Sequence, residues 1–171
     1  GKIEISEAEY FSTIIDKTAS LISATCQIGA ILGEVNRKKE EALADFGLNV
    51  GIAFQLVDDA LDYKNQKPGW GKQPGKDFLE SKATLPLIRA FKNARESERE
   101  RLNQIFTQPE LGQEHFPEAL ELVEKLGGIE YTMEKARQYI GIAKKNLSIF
   151  SDTPAKLALD AMADFVVERN Y

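Results

Sequence analysis

Residues 51–62 read GIAFQLVDDALD, and the reading of this stretch decides the fold. Four polar groups, Gln55, Asp58, Asp59 and Asp62, are set into an apolar segment that includes Val50, Ile52, Leu56, Val57 and Leu61. No proline interrupts it, and its apolar positions suit a core-facing helix. Spacings of three and four fall on one helical face, so Gln55, Asp58 and Asp62 form a polar stripe with Asp59 at its edge. Carboxylates this close on a mostly apolar helix repel one another and resist desolvation. A cation between them relieves both problems. Hard carboxylate oxygens suit Mg²⁺, which keeps waters and shares its shell with substrate phosphates. The stretch therefore reads as half of a metal–phosphate clamp. A solvated acidic helix end is the competing reading. The apolar flanks count against it, because a solvated face should also carry Lys and Glu.

Working outward, the acidic stripe belongs to a helix predicted over residues 41–64, which Asn65, Pro68 and Gly69 bring to a stop. A polar connection, residues 35–40, precedes it. Before that, residues 7–33 read as one long helix, with Ser6 as N-cap and Glu7 and Glu9 in its first turn. Its many small residues, among them Ala19, Ser23, Gly29 and Gly33, allow another helix to approach closely, within the chain or across a dimer. The short connection predicts that these two helices pack as antiparallel neighbours. Lys17 and Thr18 stand out in the first of them. A lone lysine on a helix is usually solvated, and a buried one needs an anionic partner.

After the acidic stripe comes GWGKQPGKDFLESK, residues 69–82. Its glycines allow backbone N–H groups to approach an anion, and Lys72, Lys76 and Lys82 add charge. It is not a P-loop: the glycine spacing is wrong, and Asp77 follows Gly75-Lys76 where Ser or Thr belongs. Without a preceding strand it is not a dinucleotide fingerprint either. A surface loop is the plain alternative. Further helices are predicted over 83–95 with Pro86 in the first turn, 98–107 with Ser97 as N-cap, 118–126, 129–148 and 154–169, the last opened by Thr153 and Pro154. Residues 109–117 read as a loop. No strand, repeat or low-complexity segment is evident, and the chain reads as all-α.

Composition narrows the function classes. The 171 residues suit one domain, and hydrophobic content of 43% with 29% charged residues is ordinary for a soluble globular protein. A net charge of −5 does not suggest a nucleic-acid partner. The single cysteine, Cys26, allows no intrachain disulfide and fits a reducing, cytoplasmic setting. One cysteine and one histidine, His115, do not make a zinc site or a Cys–His pair. No apolar run approaches the ~20 residues of a membrane span, and no signal peptide is visible. A calcium-binding EF-hand loop is excluded by the apolar helix around the aspartates and by the lack of the required glycine.

FQLVDDALD followed by GKQPGKDFLESKATLPLI closely resembles the second aspartate-rich region of the trans-isoprenyl diphosphate synthases, the polyprenyl synthetase family. Lys17-Thr18 resembles the family's Lys-Thr pair, Phe54-Gln55 with Asp58-Asp59 and Asp62 its FQxxDDxxD, and Lys72, Asp77 and Lys82 its basic loop. The resemblance is strong over residues 7–90. It implies an isoprenoid-synthase-type helical bundle that uses Mg²⁺ to join isopentenyl diphosphate to an allylic diphosphate, and apolar surface that upstream helices would cover predicts a homo-oligomer. By the resemblance, Asp58 is the main metal ligand, Asp59 and Asp62 assist directly or through water, and Asp77 supports that shell. Lys17, Lys72 and Lys82 meet diphosphate oxygens, and Thr18 and Gln55 turn their oxygens toward the carbocation. Family members carry two aspartate-rich motifs, whereas this sequence has one DDxxD. Residues 1–171 therefore resemble the C-terminal part of one polyprenyl synthetase domain, expected to be inactive alone. The likeness is greatest to long-chain octaprenyl and decaprenyl enzymes. A non-catalytic subunit and a cyclising terpene synthase are the alternatives. DDALD disfavours the latter, which normally carries an Asn/Ser/Glu metal motif here.

Overall fold

The computed structural model describes residues 3, 5–64 and 75–169, apart from the side chains of 109–113. Among these residues the regular elements are all helical. The Ser6 hydroxyl accepts from the Glu9 N–H at 3.2 Å, and the Glu9 carboxylate accepts from the Ser6 N–H at 2.8 Å. This reciprocal cap starts α1, Glu7–Ile14. The expected single helix over 7–33 is continuous but not uniform. A π-helical turn, Ile15–Ala19, separates α1 from α2, Ser20–Leu32. One wide turn leaves the apolar spacing on either side helical, so periodicity could not reveal it.

Helix α3, Arg37–Asp62, begins four residues earlier than expected. The Asn36 side chain accepts from the Lys39 N–H at 3.0 Å and caps it. Then follow α4 (Lys76–Leu79), α5 (Leu85–Asn93), α6 (Glu96–Thr107), α7 (Pro109–Lys125), α8 (Gly128–Asn146) and α9 (Pro154–Glu168). A 3₁₀ turn, Leu147–Ile149, follows α8. Two expectations are corrected. Residues 109–117 are not a loop but the first half of α7, with Pro117 inside it. Phe116, Ala119, Leu120 and Val123 fall on one face of α7 and pack into the core, and that burial outweighs the proline's cost of roughly 3 kcal/mol. Ser97 is not the N-cap of α6: that position is Arg95, whose N–H donates to the Glu98 carboxylate at 3.1 Å.

The chain divides into two compact units, Gly1–Tyr10 with Asp58–Met133, and Phe11–Val57 with Glu134–Asn170. In the first, α7 packs on α4, α5 and α6 around Tyr63, Phe78, Leu87, Leu102, Ile105 and Phe106. In the second, α2 and α3 are antiparallel, as expected: Thr18 bonds to Gln55, Ser23 to Ala44 and Gln27 to Glu40. Glycines set their separation. A Cβ added at Gly51 would meet the Ala19 Cα at 2.6 Å, and one at Gly47 the Ile22 carbonyl oxygen at 2.8 Å. The small residues of the π-turn and α2 thus meet glycines of α3, backbone against backbone.

Gly51→Ala should therefore cost about 3 kcal/mol and lower the melting temperature by roughly 6–12 °C, since the neighbour is main chain. Gly29, exposed on α2, has open space where a Cβ would go. Gly29→Ala should raise the melting temperature by roughly 2 °C, and calorimetry of the two variants checks the pair.

Candidate active site

In the first unit the end of α3 carries Asp58, Asp59 and Asp62. Asp58 and Asp62 are half-buried, whereas Asp59 is only 3% exposed. The buried Tyr10 hydroxyl donates to Asp59 Oδ2 at 2.6 Å. Asp62 receives the chain when it returns toward α4. Its main-chain carbonyl accepts from the Gly75 N–H at 2.8 Å, and its two carboxylate oxygens accept from the Lys76 N–H at 3.2 Å and the Asp77 N–H at 3.0 Å.

Two features hold that return in place. Gly75 has φ +75, and a Cβ there would lie 2.2 Å from the Phe116 ring, so a side chain fits neither the backbone nor the space. Phe78 is buried edge-on to Phe106, with ring centroids 5.3 Å apart, and lies 5.6 Å from Phe116. These contacts anchor α4 and so place Asp77 next to Asp62.

The local charge is strongly negative. Burial pushes the Asp62 carboxyl above its usual range, and the charges of Asp77 and Asp58 add to this against the two backbone N–H bonds. Burial, followed by the Asp59 charge, raises the Tyr10 phenol well above its ordinary value. Lys82 is exposed and pairs with Glu80 and, at 3.4 Å, with Asp77. The Tyr63 hydroxyl is buried near that of Thr84, and among the described residues neither makes a hydrogen bond of good geometry.

In the second unit Lys17 and Thr18 lie in the π-turn. Lys17 is exposed, and the Thr18 hydroxyl donates to Gln55 Oε1 at 3.2 Å. Arg169 stacks on the Phe54 ring, 4.1 Å from its centroid, and donates to the Phe54 carbonyl at 2.9 Å. Lys72 lies outside the described residues. Thr18 is thus joined to Gln55, and Asp62, Asp77 and Lys82 are joined to one another. Sequence reasoning missed Tyr10 and Arg169. A tyrosine at apolar helical spacing reads as packing, and an arginine near a helix end reads as solvated.

Among the described residues, no three or more His, Cys, Asp or Glu side chains converge to hold a metal ion by themselves. Mg²⁺ does not require such a cage, because one or two carboxylates suffice when substrate phosphates complete the shell. The donors here are all carboxylate oxygens, and Asp62, raised chiefly by burial, also feels the charges of Asp77 and Asp58, which a cation would offset. The residues fit a hard divalent ion. A cavity of about 340 Å³ beside Ile3, Glu7 and Arg89 shares none of these groups.

The helical fold is of the isoprenoid-synthase type, as its likeness to solved polyprenyl synthases shows. The polyprenyl synthetase family model matches residues 1–123, and the chain belongs to that family. It is 36% identical over 170 residues to the short chain isoprenyl diphosphate synthase of Methanothermobacter thermautotrophicus, covering 99% of this chain and 52% of that one. It is 39% identical over 172 residues to the decaprenyl-diphosphate synthase subunit 1 of Schizosaccharomyces pombe, covering 99% and 44%. The polyprenyl synthase of Caulobacter crescentus, solved with calcium and isoprenyl diphosphate, superposes with a TM-score of 0.87 at 39% identity, covering 98% of this chain and 51% of that one. The chain spans about half the length of the curated relatives it matches. Among the described residues no helix is long and apolar enough to cross a membrane.

Asp62 has a native pKa above its unfolded value, so the folded state binds more protons just above pH 4. This group should therefore lower stability as pH rises through that window. Metal-free melting temperatures measured from about pH 4 to pH 6 should rise more, or fall less, with pH for Asp62→Asn than for the wild type.

Proposed function

We propose that residues 1–171 are the C-terminal portion of one polyprenyl synthetase domain, and that the whole protein is a trans-prenyltransferase joining isopentenyl diphosphate to an allylic diphosphate. The observation that carries this reading is the return of the chain onto Asp62, which sets Asp77 beside the carboxylate of Asp62 at the helix end that also bears Asp58. In the reaction the allylic C–O bond breaks, the isopentenyl double bond supplies the electrons of the new C–C bond, and a proton leaves the adjacent carbon. Diphosphate departs with the bonding pair and can take up that proton, so no histidine base is required.

Asp58 is the main Mg²⁺ ligand in this reading, with Asp62 beside it and Asp77 supporting the shell. When bound, the ion supplies positive charge to the departing diphosphate. Lys17 and Lys72 bind diphosphate oxygens, and Lys82 holds Asp77 while adding local positive charge. Thr18 and Gln55, already joined through Thr18 Oγ1, present oxygen to the developing carbocation. The product is of the long-chain, octaprenyl or decaprenyl, type, and the protein works in the cytoplasm. The chain associates with itself through the exposed apolar residues of α2, Leu21, Ile28, Ile31 and Leu32. Light scattering should show a species larger than a monomer at micromolar concentration, and a monomer would remove this part of the reading.

Ionisation needs charge on both sides of the diphosphate, and this chain carries one DDxxD. The 171 residues alone should give negligible incorporation of labelled isopentenyl diphosphate at saturating Mg²⁺. In the whole protein, Asp58→Ala should lower turnover by about a hundredfold or more, and Asp59→Ala by less. An Asp58→Ala protein with near-normal turnover would mean that the clamp lies elsewhere.

A further inference from the structure

Asp59 differs from its two neighbours. Asp58 and Asp62 are half-buried, whereas Asp59 is 3% exposed and Tyr10, its partner, 4%. The O···O distance of 2.6 Å falls in the short range of a hydroxyl donating to a carboxylate. The two residues are 49 positions apart in sequence, so the bond ties the start of the first helical run to the end of α3.

Helix geometry gives this bond a consequence. Successive residues turn by about 100°, so Asp58 and Asp62 lie about 100° and 60° to the same side of Asp59 and within about 40° of each other. Fixing the direction of Asp59 therefore fixes the direction of both others. The apolar neighbours Leu56, Val57, Ala60 and Leu61 also bury that side of α3, but apolar burial is not directional. A hydrogen bond is directional, and it weakens steeply when misaligned.

We infer that Tyr10 is a positioning residue: its hydroxyl holds Asp59 from behind and so sets the rotation of the helix end that presents Asp58 and Asp62. Asp59 then serves as the anchor of the acidic cluster, turned away from the face its neighbours share. The raised Tyr10 phenol is consistent with this, because it keeps the proton that makes the bond. The inference rests on the reading of Asp58 and Asp62 as carboxylates of the metal site.

The test compares wild type, Tyr10→Phe, Asp59→Asn and the double variant, with Asp58→Ala as reference. Three quantities are read: metal-free melting temperature, amide hydrogen exchange over residues 58–62, and calorimetric binding of inorganic diphosphate with Mg²⁺. Tyr10→Phe removes this donor from a buried carboxylate and should lower the melting temperature by about 5 °C. It should also speed exchange over residues 58–62 and weaken Mg²⁺–diphosphate binding by about tenfold. Asp59→Asn keeps a carbonyl acceptor for Tyr10 and should weaken that affinity less than Asp58→Ala does. In the double variant Tyr10→Phe should cost less than it does alone.

Exchange and melting unchanged in Tyr10→Phe would overturn the inference. So would a lowered melting temperature with unchanged diphosphate affinity, which would make the contact structural only. An Asp59→Asn loss as large as that of Asp58→Ala would make Asp59 a ligand instead. If the wild type binds no Mg²⁺–diphosphate, the reading of Asp58 and Asp62 as carboxylates of a metal site in this chain fails, while exchange and the melting cycle still decide whether Tyr10 orients α3.

Discussion

Carboxylates at the end of a helix whose last turns are largely buried impose the main constraint on this molecule. A charge removed from water must be bonded or paired, and each acidic group here meets that demand differently. Asp59 is buried and accepts from the Tyr10 hydroxyl. Asp62 accepts two backbone N–H groups from the start of α4. Asp58 remains half-buried. The bonds from Gly75, Lys76 and Asp77 to Asp62 go with a left-handed Gly75 and with Phe78 buried behind α4.

The second unit is organised by close backbone approach. Gly47 and Gly51 of α3 meet residues of the π-turn and α2 with no room for a side chain. The helices can then lie near enough for Thr18 to reach Gln55 and for Ser23 to reach the Ala44 carbonyl. The wide turn places Lys17 and Thr18 on a segment whose carbonyls and N–H groups pair out of register with an ordinary α-helix. Such turns are uncommon, and here one coincides with residues proposed for substrate contact. Arg169 adds a contact on the same helix, stacked on Phe54 and bonded to its carbonyl, one residue before Gln55.

The two corrected helix boundaries share one cause. Pro109 and Pro117 made 109–117 look like a loop, yet the face bearing Phe116, Ala119 and Val123 has a core to enter. Ser97 looked like a cap, yet Glu98 already satisfies the backbone at Arg95. In both cases local propensity gave way to a partner that is distant or competing, which a window of sequence does not contain.

The sequence by itself determined the all-α class, the helix that bears Gln55, Asp58 and Asp62, and the family, because helical period and an ordered set of motifs are properties of residue order. It also determined the antiparallel pairing of the first two long helical runs, which the short connection between them dictates. Only the tertiary structure decided which carboxylate turns inward. Asp58, Asp59 and Asp62 are chemically equivalent as letters, and their differences come from Tyr10, 49 positions away from Asp59, and from backbone N–H groups 14 and 15 positions beyond Asp62. Burial and hydrogen bonding depend on partners in space, and those partners exist only once the chain has folded.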